Sequence, residues 1–167
     1  MEAKIFIAPI EEQKRFRDDA QNFARLHAKC FFHAWDTLCF EKFFYDSHVL
    51  SVAAWPIGKR EKLLGFICIR ALLEEAEILT IAVDPAVRNQ AIGHQLLAYS
   101  MRLLRTKKIR KIFLEVDEAN ESAKALYSKF YFSKIGKRKG YYESFDKKRS
   151  DALILCYDFE KEKSIIK

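Results

Sequence analysis

Between Ile78 and Leu97 the hydrophobic pattern changes period within a few residues, and this constrains the fold more than any other stretch. Glu77 to Val83 is apolar and β-branched enough for a strand, with Glu77, Leu79, Ile81 and Val83 on one face. Asp84-Pro85 ends it. From about Ala91 to Lys107 the pattern is helical, with Ile92, Leu96, Leu97, Met101 and Leu104 as the core stripe. Lys107 and Lys108 fall in its last turn, where the helix dipole favours cations. A strand that feeds a helix through a short polar loop points to a mixed α/β fold.

The flanking segments extend that pattern. Lys4–Ile10 reads as a strand and Glu11 to about Lys29 as a helix, with Phe16, Ala20, Phe23, Ala24 and His27 on one stripe. Asp36 is placed to cap a short helix carrying Phe40, Phe43 and Phe44. His48–Trp55 reads as a strand, Pro56 to Lys59 as a turn, and Leu63–Leu73 as a long apolar strand before the acidic bend Glu74-Glu75. Lys111–Asp117 alternates, with Ile112, Leu114 and Val116 on one face and Phe113, Glu115 and Asp117 on the other. Asn120–Phe130 reads as a helix with Asn120 as N-cap, and Phe132–Glu143 and Ala152–Glu160 as the last strands. The predicted order is β-α-α-β-β-β-α-β-α-β-β.

A chain of 167 residues fits one domain, expected over residues 1–160 with a short basic tail at 161–167. With 14 Phe and 7 Tyr it has ample material for a core, which excludes a disordered chain. The N-terminal MEAKIFIAPIEEQ has too short an apolar run for a signal peptide, and no segment approaches the ~20 apolar residues of a membrane helix. Cys30, Cys39, Cys68 and Cys156 form no C-x-x-C pair, and His27, His33, His48 and His94 are scattered. Reduced, mostly buried thiols, no metal site and a cytoplasmic protein are the expectation.

The loop between strand and helix carries the first chemical reading. Its N–H groups at a helix N-terminus, with Arg88 and Asn89 as side-chain donors, suit a phosphate. An ordinary β-α connection has the same outline. The net charge of +7 fits a phosphate-bearing cofactor, nucleic acid, an acidic partner or a solvated basic face. The basic runs Lys107–Lys111, Lys137–Lys139 and Lys147–Arg149 have no interleaved aromatic platform and no zinc framework. They are therefore read as solvated faces, not a nucleic-acid site.

The segment Val83-Asp84-Pro85-Ala86-Val87-Arg88-Asn89-Gln90-Ala91-Ile92-Gly93 resembles the acetyl-CoA motif of the GNAT superfamily of N-acetyltransferases, V-x-P-x-x-[RQ]-x-x-G-x-[GA]. Arg88 fills the [RQ] place and Gly93 the last small one, while Ala91 stands where the family usually has glycine. The alanine is accommodated if residue 91 takes helical dihedrals. Leu114-Glu115-Val116, then Asn120 to Tyr127, Phe130, Phe132, Gly136 and Arg138 to Tyr142 resemble the superfamily's second half. Within it, the pattern is most similar to bacterial ribosomal-protein N-terminal alanine acetyltransferases, as is Asp151-Ala152-Leu153.

The resemblance implies a GNAT-like fold: a mostly antiparallel, twisted sheet of about seven strands with helices on both faces. It implies acetyl-CoA as co-substrate, held by Ile81, Ala82, Val83, Arg88, Asn89, Gln90, Ala91, Ile92, Gly93 and His94, with Asn120, Ala123 and Tyr127 from the later helix. In such chemistry an amine attacks a thioester and must lose a proton, while the thiolate leaves. An α-amine titrates near ~7.7–8, so one carboxylate suffices as base. Tyr127 is implied as the acid for the thiolate, against a core aromatic with a satisfied hydroxyl. Glu115 and Glu77 compete as base, and either could equally be a salt-bridged strand carboxylate. The acceptor expected is a protein N-terminus, with a ribosomal protein as candidate partner. A small-molecule amine or a protein lysine is the alternative acceptor, and a non-catalytic acyl-CoA- or RNA-binding module the alternative of another class. Monomer and homodimer are both compatible with the chain.

Overall fold

The computed structural model describes residues 4–10, 16–143 and 149–161. The expected helix start at Glu11 to Arg15, the basic pair Lys147 and Lys148, and the tail from Glu162 onward lie outside the described residues. The elements are β1 (Ile5–Pro9), α1 (Phe16–Cys30), α2 (Thr37–Tyr45), β2 (Val49–Pro56), β3 (Gly65–Leu72), β4 (Glu75–Val83), α3 (Ile92–Thr106), β5 (Lys111–Asp117), α4 (Glu121–Lys129), β6 (Ser133–Glu143) and β7 (Arg149–Asp158). That is the order the sequence predicts. Among the described residues the strands form a seven-stranded sheet, β1-β2-β3-β4-β5-β7-β6. β4 and β5 run parallel, and the β1/β2, β2/β3, β5/β7 and β6/β7 pairs are antiparallel.

The chain divides into two compact units, Met1–Arg70 with Leu79–Leu103, and Ala71–Ile78 with Leu104–Lys167. The division cuts β3, β4 and α3, so neither unit is one continuous piece of chain.

The first unit is built on aromatic packing. The α1 stripe buries Phe16, Ala20, Phe23 and Leu26 together with the polar Asp19 and His27. Phe23 stacks on Phe66 of β3 at 4.1 Å between ring centroids and meets Phe40 of α2 edge-on at 5.6 Å. Burying such a ring is worth ~1.5–3 kcal/mol over leaving it in water. α2 starts at Asp36, whose carboxylate accepts from Cys39 N at 2.8 Å. Gly65 opens β3 where no side chain fits: a Cβ there would meet Ala82 O at 2.9 Å and Leu96 Cδ1 at 3.1 Å. Its absence lets β3, β4 and α3 close on one another at the strand-to-helix junction.

The second unit is centred on β5. Ile112, Leu114 and Val116 are buried on one face, and Phe113, Glu115 and Asp117 are half-buried on the other. β5 pairs with Glu75–Ile78 of β4 on one side and with β7 on the other. β4 starts two residues before its expected start at Glu77. The bend sits instead at Leu73-Glu74, with Leu73 at φ +55°. Glu74 O accepts from Arg110 N at 2.7 Å, which leaves Glu75 free to pair with Lys111.

Candidate active site

Each unit holds candidate residues of its own. In the first, β4 delivers Ile81, Ala82 and Val83 to the loop, with Ala82 buried and its neighbours half-buried. Asp84 then shapes the turn. Its side chain accepts from Ala86 N at 3.0 Å and from Lys29 at 3.1 Å. The Ala86 N–H, then the Lys29 ammonium, hold the carboxyl below the usual aspartate range. A 3-10 turn, Pro85–Val87, follows.

Arg88 folds back over the strand end. Its Nε donates to Val83 O at 3.5 Å and its Nη2 to Cys30 Sγ at 3.7 Å, while Cys30 itself donates to Val83 O at 3.5 Å. Asn89 and Ala91 then take φ +62° and +56°, on either side of Gln90. Residue 91 is thus in the left-handed region, not helical as the alanine requires for easy accommodation. The helix begins one residue later because Ala91 O is the first acceptor, bonded by Gln95 N at 2.9 Å. The glycine place is therefore conformational: an L-residue sits where glycine is unstrained. Left-handed residues flanking Gln90 are the kind of backbone in which successive N–H groups form a concavity suited to anions. Ile92 is buried, whereas Arg88 to Ala91 and His94 are exposed.

In the second unit, Glu115 is held from two directions. Arg138 Nη1 donates to Glu115 Oε1 at 2.7 Å, and Tyr142 OH donates to the Glu115 carbonyl at 3.3 Å. The Arg138 guanidinium also lies over the Tyr141 ring, 4.1 Å from its centroid. Burial, then the Glu115 charge, pushes the Tyr142 phenol up to about 12. Glu77, by contrast, is exposed, and its parallel register with Phe113 puts it on the same sheet face as Glu115.

Tyr127 is 4% exposed on α4 and packs on Phe132 at 5.5 Å. Burial, with Tyr142 beside it, drives its phenol far above the ordinary value, so it stays protonated at neutral pH. Asn120 caps α4: its Oδ1 accepts from Ala123 N at 3.1 Å and Ser122 Oγ at 3.0 Å. Among the described residues its amide nitrogen is the side-chain group the cap does not use. Ala123 is half-buried one turn before Tyr127.

The solvated-face reading misses Arg138 and Lys137. Lys137 bonds Glu118 at 2.8 Å and Asp151 at 2.7 Å, and Asp151 also accepts from Gly140 N at 2.8 Å. The signal that could find them is the R-x-x-Y-Y run taken as a strand opposite β7.

Compared with known proteins, the chain matches the model of the acetyltransferase (GNAT) family over residues 20–132. It belongs to the GNAT acetyltransferase family. It is 33% identical over 98 residues to a [ribosomal protein bS18]-alanine N-acetyltransferase of Haemophilus ducreyi, covering 59% of this chain and 68% of the relative. To the enzyme of that name from Escherichia coli K12 it is 30% identical over 116 residues, covering 70% and 78%. The crystal structure of the ribosomal-protein-S18-alanine N-acetyltransferase from Escherichia coli superposes with a TM-score of 0.81 at 25% identity, covering 93% of this chain and 94% of the other. Arabidopsis thaliana NAA60 in complex with acetyl-CoA shares the fold, with a TM-score of 0.80 at 20% identity, covering 94% and 99%.

This GNAT chain is an acyltransferase whose donor is acetyl-CoA. The loop's chemistry fits that donor. A pyrophosphate needs converging N–H groups and a cation, and the loop has left-handed turns at Asn89 and Ala91, the first turn of α3 and Arg88 beside it.

Proposed function

We propose that this enzyme acetylates the α-amine of a protein N-terminus, the acceptor class named in its bS18-alanine acetyltransferase relatives, with Glu115 as base and Tyr127 as acid. The observation that carries the chemical part is Glu115 itself, a half-buried carboxylate fixed at both its backbone and its side chain. Bound acetyl-CoA supplies an activated acetyl thioester. Arg88 and the N–H groups from Asn89 to His94 would hold its phosphates, and the Ile81–Val83 backbone its arm.

The remaining chemistry falls to proton transfers. An α-ammonium, near ~7.7–8, gives up its proton to one carboxylate close to neutrality, whereas a lysine near ~10.4 is harder to deprotonate by over two pH units. A single fixed glutamate therefore suits the α-amine better than a lysine side chain. Tyr127, kept protonated by burial, is the group with a proton to give to a leaving thiolate. Glu77 is the second candidate base, on the same face but exposed and, among the described residues, without a comparable anchor for its carboxylate.

The test is CoA release and mass spectrometry with acetyl-CoA and three acceptors: a peptide with a free N-terminal Ala, the same peptide N-blocked with an internal Lys, and a set of small amines. Acetylation confined to the free N-terminus is expected. Equal turnover of the blocked lysine peptide or of the small amines would overturn the acceptor assignment. Cofactor binding without turnover of any amine would overturn the catalytic reading.

A further inference from the structure

We infer that Arg138 is a positioning residue that works through Glu115, a role that rests on Glu115 being the base. Three observations within the second unit converge on it. The guanidinium donates to Oε1 of Glu115 at 2.7 Å, so Oε2 is the oxygen presented to an acceptor. The same guanidinium rests on the Tyr141 ring at 4.1 Å, which fixes its plane and restricts its swing. The strand that carries it is clamped on both sides. Lys137, the preceding residue, is bonded to Glu118 and Asp151, and Gly140 N, two residues on, donates to Asp151 Oδ1.

The geometry of the β5/β7/β6 ladder explains why this arginine and not a neighbour reaches the glutamate. Glu115 lies opposite Ile154, and Ile154 opposite Gly136, which has no side chain to offer. Arg138 sits one pleat along, opposite Ala152, and Ala152 is too small to stand between it and Glu115. The other nearby carboxylate, Asp117, accepts from Ala119 N at 2.9 Å through Oδ1, while the guanidinium bonds Glu115. Tyr142 fixes the glutamate's backbone and Arg138 its carboxylate. Together they leave one oxygen and one orientation for proton transfer, the condition under which a base is effective.

An ordinary surface ion pair would have the same distance, so the experiment must read more than stability. Arg138→Gln and Arg138→Lys are made alone and combined with Glu115→Gln, and steady-state kinetics are measured on the free-N-terminus peptide. Arg138→Gln should lower kcat by roughly 10–100-fold with KM for acetyl-CoA and Tm little changed. Arg138→Lys should recover part of the loss, since it keeps the charge without the fork or the ring contact. Added to Glu115→Gln, the arginine change should cause no further loss.

If Glu115→Gln is crippled while Arg138→Gln keeps the wild-type kcat, the inference is overturned and the base assignment stands. Losses that multiply in the double variant would also overturn it, because the two residues would then act separately. A wild-type kcat in Glu115→Gln overturns the base assignment and takes the role of Arg138 with it. Should Arg138→Gln not fold, the Lys variant carries the same comparison.

Discussion

Ala91 is an L-residue held at φ +56°, at the place where its family's motif has glycine. The left-handed region costs a non-glycine residue ~1–2 kcal/mol, part of which glycine would give back through its freer unfolded chain. Ala91→Gly should therefore stabilise the free enzyme by ~0.5–1 kcal/mol. At this chain length that raises Tm by roughly 2–4 °C per kcal/mol, readable by calorimetry. A fall in Tm would mean that the alanine methyl makes contacts worth more than the strain. The catalytic candidates are tested at the same scale. Glu115→Gln should lower kcat by ~10²–10⁴-fold, the usual range for losing a general base, while Glu77→Gln stays within a few-fold of wild type. The reverse pattern would move the base to Glu77. Tyr127→Phe should lower kcat with Tm nearly unchanged, because the ring keeps its place on Phe132.

At the scale of elements, Gly65 decides how closely the strands meet α3. Gly65→Val would drive its Cβ toward Ala82 O, which is backbone and cannot rotate away. A destabilisation of ~1–3 kcal/mol in urea unfolding is expected, with weakened CoA binding if β4 leads, as proposed, into the loop that holds the phosphates. Elements such as β5 are legible in the sequence: its alternation places Glu115 opposite Ile112, Leu114 and Val116 with the observed bounds. The capping residues Asp36 and Asn120 are equally legible, since an Asn or Asp before an apolar stripe has a local reason to be there. The partners of Glu115 are not. From Arg138 to Tyr142 is four residues, while their β7 partners, Ala152 and Ser150, are two apart, so β6 carries a bulge that period-two reading cannot see. The acidic bend is displaced for a similar reason. Its position depends on Arg110 N finding Glu74 O, a contact distant in sequence. The dihedrals at Asn89 and Ala91 are hidden too, because a residue type alone does not announce that it is strained.

At the scale of the whole molecule, the response to acid should be governed first by one buried imidazole. His27 lies in the aromatic core between Phe31 and Trp35, with ring centroids at 4.2 and 4.9 Å, and its Nδ1 accepts from Trp35 N at 3.1 Å. Burial lowers its pKa from 6.5 to about 4. The folded state thus binds the His27 proton less readily than the unfolded chain. Stability from this group is full above about 6.5 and is lost as pH falls toward 4. A shift of that size corresponds to about 3 kcal/mol, a large share of a typical domain's stability. Asp84 and Asp151 are also held low, the first by the Ala86 N–H and the second by Lys137. Their contribution is lost only below the ordinary aspartate range, near ~3.9, so the two effects occupy different windows. Urea unfolding between pH 7 and 4 should show wild-type stability falling, and His27→Asn, which keeps an acceptor for the Trp35 N–H, falling less steeply. The growing positive charge acts on both proteins alike, so the difference in slope isolates the imidazole. Parallel slopes would mean that His27 takes up its proton without opening the core, and that the acid limit of this molecule is set by its carboxylates.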